Sequence, residues 1–111
     1  SQDFDATSKH FAVDIVAQTG TPVKAISDGT VIFSGWSAEA GYVVILKHNK
    51  EYISVYKHNG NLLKQQGDFV KSGEVIASVG STGELSTGPH LHFELWKGGY
   101  AINPSNLIDF K

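Results

Sequence analysis

Glycine-bearing turn signals recur along the whole chain, and they leave room mainly for short extended runs between them. Thr19-Gly20-Thr21-Pro22, Asp28-Gly29, Asn59-Gly60, Ser72-Gly73, Ser81-Thr82-Gly83 and Gly98-Gly99 all read as turns. Between them lie runs rich in valine, isoleucine and aromatics, at residues 11–17, 30–33, 42–47, 52–56, 75–79 and 91–96. Short β-branched runs with frequent turns predict an all-β fold, mainly antiparallel and sandwich- or barrel-like, with no helix. The longest glycine-free stretch, residues 42–59, reads as a hairpin turning near Asn49-Lys50. Gly20-Thr21-Pro22-Val23-Lys24-Ala25 echoes Gly67-Asp68-Phe69-Val70-Lys71-Ser72, which suggests two similar turn–strand units.

Composition removes several classes of function. A formal net charge of −2 supplies no basic surplus to neutralise phosphates, so nucleic acid is not an expected partner. No apolar run approaches the length of a membrane span. Cysteine is absent, so a metal would be held by nitrogen and oxygen, and a thiol nucleophile is excluded. The chain starts at Ser1 and contains no methionine, as expected of a mature fragment or an excised domain.

The histidines fall where strand alternation groups them with other ligand-capable residues. In His10-Phe11-Ala12-Val13-Asp14, a strand places His10, Ala12 and Asp14 on one face and Phe11 and Val13 on the other. In His90-Leu91-His92-Phe93-Glu94-Leu95, His90, His92 and Glu94 share a face opposite the three apolar residues. The same alternation puts Ser54, Tyr56 and His58 together. Three strands thus each offer polar groups opposite an apolar face. Unrelated surface histidines can share such spacings, and periodicity does not say whether His90 or His92 would bind a metal.

The surrounding residues carry more information. HFAVD, GTPVKAISDGTV, YISVYKH and GDFVKSGEVIASVGSTGELSTGPHLHFEL, in that order, resemble the lysostaphin/LytM-type zinc metallopeptidases along nearly the whole chain. The most specific piece is STGPHLHFE, residues 86–94. The resemblance implies a single domain over residues 1–111, with an active-site cleft across one sheet and loops as its walls. It also implies a zinc ion held by His10, Asp14 and His92, with His58 and His90 beside its open position. Such a site hydrolyses amide bonds in peptidoglycan stem peptides or crosslinks through a zinc-activated water. His90 is the expected general base, with His58 assisting or stabilising the tetrahedral intermediate. A monomer acting on peptidoglycan peptides, in the bacterial cell envelope (periplasm or outer face) or secreted, is the expected setting.

Other residues have two readings each. Tyr56 either donates to the oxyanion or packs in the hairpin. Glu94 either orients a ligand histidine from behind, the structural role being slightly favoured, or simply carries surface charge. Trp36 and Tyr42 bracket a glycine-containing loop and either line a substrate groove or pack in the core. His48, outside the family motifs, is expected at a solvated strand end. Two departures stand out: Ala12 replaces a frequent glycine, and family domains usually begin with a hairpin, whereas nine residues precede His10 here. If the chain is truncated at its N-terminus, the cleft lacks a wall or the sheet exposes an edge. A catalytically silent module that binds peptidoglycan or activates a hydrolase is the principal alternative. A biotinyl/lipoyl-like carrier domain is a weaker one, suggested by the pattern from Gly67 to Ala77 but lacking a recognisable hairpin-tip lysine.

Overall fold

The computed structural model describes residues 2–5, 10–81 and 88–103, with side chains described from Ala12 onward. They form ten strands: β1 (Gln2–Asp5), β2 (His10–Val16), β3 (Pro22–Lys24), β4 (Gly29–Ser37), β5 (Gly41–Lys47), β6 (Tyr52–Leu62), β7 (Phe69–Val70), β8 (Val75–Val79), β9 (His90–Lys97) and β10 (Tyr100–Ile102). Every pairing is antiparallel. Among the described residues there is no helix, and so none long and apolar enough to cross a membrane.

The main sheet runs β1-β2-β9-β6-β5-β4-β7, with β10 beside β9. A second layer, β3 and β8, joins it through the far end of β6, where Asn59, Asn61 and Leu62 pair with Val79, Ser78 and Ala77. The core fills the space between, with Val44, Leu46, Tyr56, Phe93 and Leu95 meeting Val23, Ile76 and Val79. Leu46, Ile76 and Leu95 are fully buried. Each contributes about 1.5–3 kcal/mol of apolar transfer free energy. The expected hairpin turn is present: Asn49 Oδ1 accepts from the backbone N–H groups of Glu51 (2.8 Å) and Tyr52 (3.1 Å). The two echoing segments are alike locally, since Gly20 (φ 93°) and Gly67 (φ 95°) each precede a short strand.

The expected turn at Ser81-Thr82-Gly83 extends outside the described residues, and within them one expected turn is not a turn. Asn59-Gly60 lies inside β6, where the strand bends from the main sheet toward β8. A Cβ on Gly80 would stand 2.5 Å from Gly60 N and 2.6 Å from Gly60 Cα, so the crossing tolerates no side chain there. Asn59, fully buried, ties the bend down by donating from Nδ2 to the carbonyls of Tyr42 and Tyr56, both at 2.9 Å.

His48 also departs from expectation. It is half-buried, and Nδ1 donates to the Asp28 carbonyl (2.8 Å) while Nε2 accepts from the Ser54 hydroxyl (2.7 Å). The Ser54 and Tyr56 hydroxyls share a 3.0 Å bond, and Ile26 N–H donates to Tyr56 Oη at 3.2 Å. Polar groups in an apolar core are thereby satisfied. Burial pushes His48 below its usual pKa, against the opposing pull of Asp28, and pushes the Tyr56 hydroxyl up to about 12.

Two outcomes follow from these contacts. Gly80→Ala should lower stability by about 1–3 kcal/mol, read from the urea midpoint, because backbone rather than a flexible side chain blocks the new methyl. The unfolded chain binds the His48 proton more tightly than the folded one, so this stabilisation is full above pH 6.5 and is lost as pH falls below it. The stability difference between the wild type and His48→Gln should therefore shrink in urea titrations taken from pH 7 to pH 5.

Candidate metal and catalytic site

Strand alternation across β2 and β9 builds the centre of the site. Asp14 stands opposite His92 in the ladder, and Val16 opposite His90. Phe93 and Leu95 turn into the core, which leaves His90, His92 and Glu94 on the other face. Asp14 Oδ1 lies 2.9 Å from His92 Nδ1, and Glu94 Oε2 lies 2.8 Å from His92 Nε2. Flanked by two carboxylates, which only accept, both ring nitrogens of His92 donate. Burial lowers the His92 pKa, but Glu94 and then Asp14 outweigh it and leave the net shift upward.

Glu94 is buried, at 3% exposure, so its charge needs partners. It has them: Lys57 Nζ at 3.0 Å from Oε2 and Trp96 Nε1–H donating to Oε1 at 3.1 Å, besides His92. Burial would raise this carboxyl, yet His92, Lys57 and Trp96 together hold it well below the usual carboxylate range. A surface-charge reading is ruled out, and the carboxylate backs His92 from the side opposite Asp14.

His58 arrives by a different route. Tyr56 was expected on its face, but Tyr56 is buried in the core with its ring 5.3 Å from Phe93 and its hydroxyl bonded to Ile26 N–H. It is therefore packed away from the site and cannot donate to an oxyanion there. Lys57 faces Glu94, and simple alternation would return His58 to the core side. Instead His58 has φ 62°, the one non-glycine residue with positive φ among those described, and the residues about it form a bulge against β5. Its N–H donates to the Ala40 carbonyl at 2.9 Å. The ring ends 5.2 Å from His90 and 5.9 Å from His92.

His90 is oriented by its own turn. Nδ1–H donates to the Gly88 carbonyl at 2.7 Å, so Nε2 carries the lone pair. That nitrogen is 3.9 Å from Asp14 Oδ1. Trp36 and Tyr42 are paired across the β4–β5 hairpin at 5.0 Å, edge to face, and are 55% and 38% exposed rather than packed in the core.

His10 opens β2 opposite Asp5, four residues before Asp14 and hence at a position on the same strand face. Its side chain lies outside the described ones. Among the described residues, no three His, Cys, Asp or Glu side chains gather closely enough to hold a metal by themselves. The described ligand atoms fit zinc once His92 Nδ1 gives up its proton: a carboxylate oxygen and an imidazole nitrogen 2.9 Å apart are close to the roughly 3.3 Å between neighbouring ligand atoms of a tetrahedral site. Lys57 and Asn59 were not foreseen as supports. No sequence periodicity marks them, although the Asn-Gly pair did signal an irregular backbone.

A sequence model of Peptidase family M23 matches residues 8–104. An uncharacterized metalloprotease of Haemophilus influenzae is 48% identical over 96 residues, which is 86% of this chain and 20% of that protein. The murein hydrolase activator NlpD of Escherichia coli is 42% identical over 98 residues, 86% of this chain and 25% of that one. The chain thus spans a quarter or less of the length of these two curated relatives. The catalytic domain of the antimicrobial peptidase lysostaphin from Staphylococcus simulans superposes with a TM-score of 0.82 at 37% identity, covering 90% of this chain and 79% of that domain.

Proposed function

The chain belongs to peptidase family M23, and on that premise we propose that it is a zinc-dependent endopeptidase acting on amide bonds in peptidoglycan stem peptides or crosslinks, in the bacterial cell envelope. The observation that carries this reading is the cross-strand pair Asp14–His92, backed by Glu94 and flanked by the rings of His90 and His58. Asp14 and His92, with His10, would hold the ion. Zinc bound there supplies a Lewis acid that lowers the pKa of water to about 7 and polarises a carbonyl.

The chain's own residues do the rest. His90, with Nδ1–H committed to Gly88, presents Nε2 as the base that takes a proton from the attacking water. As the C–N bond breaks, the same nitrogen returns that proton to the leaving amine. His58, buried at 5% exposure and against both rings, would hydrogen-bond the tetrahedral oxyanion. Glu94 acts behind His92, fixing its ring so that Nδ1 points to Asp14.

The likeness to NlpD supports a second reading, in which the domain activates a separate murein hydrolase without cutting anything itself. The presence of His10, Asp14, His58, His90 and His92 together favours the peptidase. Purified zinc-loaded protein that never shortens defined muropeptides, yet raises the rate of a partner hydrolase, would decide for the activator.

Under the peptidase reading, His90→Ala should lower kcat by about 10²–10⁴ while zinc stays bound, because a proton-transfer group is lost and not a ligand. His10→Ala should release zinc in a chelator competition. Glu94→Gln should weaken zinc about 10–100-fold in the same assay, since it removes the charge behind His92. Wild-type turnover in either histidine variant, measured by mass spectrometry of muropeptide digests, would reject the assignment.

A further inference from the structure

Val16 is the most exposed large apolar side chain among the described residues, at 85%, and it ends β2 directly opposite His90. Single exposed valines are ordinary and carry no argument by themselves. Position distinguishes this one. Asp14, two residues earlier, contacts His92, so alternation sets Val16 on that same face of the sheet. Opposite residues of an antiparallel pair have Cβ atoms roughly 4.5–5.5 Å apart, which puts the Val16 methyls beside the His90 side chain. Its neighbours on this face, Asp14, His90 and His92, are polar. An apolar branch therefore stands at the edge of a polar centre, with no packing role of its own.

Resting on the peptidase reading, we propose that Val16 is a specificity-determining residue: it forms an open apolar subsite for the methyl group of an alanine residue flanking the scissile amide. The Cβ of a residue next to that amide lies within a few bonds of the reacting carbonyl, which is the reach that Val16 has from His90. The flank is shallow and covers one small group, so it distinguishes a methyl from a hydrogen more readily than it grips a long side chain. Alanyl peptides are favoured over glycyl ones. Full burial of one methyl corresponds to roughly a fourfold preference, which is the ceiling for an open flank.

The test compares two synthetic peptides, one alanyl and one glycyl at the scissile position, through the ratio of their kcat/KM values. Val16→Thr keeps the branched strand shape and replaces a methyl by a hydroxyl. At an exposed position it should leave the thermal midpoint and zinc content as they are. The expected result is an alanyl preference in the wild type that falls by roughly twofold in Val16→Thr, which keeps one of the two methyls, while Leu63→Ser, an exposed site elsewhere (57%), leaves the ratio unchanged. An unchanged ratio in Val16→Thr overturns the proposal. Calorimetric binding of the same peptides to chelator-treated protein separates the two layers of the argument. Absence of turnover with a Val16-dependent alanyl preference in binding sinks the peptidase reading and supports the subsite; a binding preference indifferent to Val16 sinks the subsite.

Discussion

β6 has to belong to both layers of the molecule, pairing with β5 and β9 along its first part and with β8 along its last. A regular strand could not make both sets of bonds without leaving the core between the layers open. The bend at residues 58–60 resolves this, and it depends on an approach between Gly60 and Gly80 close enough to exclude a Cβ on Gly80. Asn59 closes the bend from inside through two carbonyls. The left-handed backbone of His58 is a strained conformation for a residue with a side chain, and it persists because these contacts hold it. The same bend brings His58 over to the face of His90 and His92. Gly80 in turn bridges to His90, so one crossing serves the packing of the core and the placement of two imidazoles.

On the other side of the centre the architecture is regular. Asp14 and His92 meet because antiparallel register puts them opposite one another, and Glu94 meets His92 because a strand repeats every second residue. Electrostatics then makes the arrangement specific. A buried carboxylate at Glu94 is tolerable because Lys57, Trp96 and His92 all direct hydrogen-bond donors at it. Removing one of those partners leaves much of a buried charge uncompensated, which costs more than the lost contact itself. Orientation of His92 is thus held by groups on its own face of the sheet, on the side of the ring away from Asp14.

Where the strands keep strict alternation, the sequence could be read directly. His90, His92 and Glu94 lie on one face, as period-two spacing required, whereas Asp14 meets them through the register of β2 against β9. The same rule misplaced Tyr56, since it assumed that the run from Ser54 to His58 was unbroken. His58 reached the site, but by a bulge and not by sharing a face with Tyr56. Asn59-Gly60 signalled an irregular backbone correctly and its kind incorrectly: in isolation the pair favours a hairpin turn, whereas here the ladder with β8 continues through it. His48 does follow the end of β5, but it looked solvated because its partners, the Asp28 carbonyl and Ser54, are twenty and six positions away.

Local chemistry was therefore enough to determine the all-β character, the turns that separate most strands and the residue types able to hold an ion without sulfur. Binary patterning depends on the nearest few residues, and those are written in the chain. The tertiary structure decided which polar residues converge, that Tyr56 and His48 serve the interior, and that Lys57 neutralises Glu94. Those outcomes rest on contacts between segments remote in sequence and on one backbone inversion whose cost is met by the packing around it.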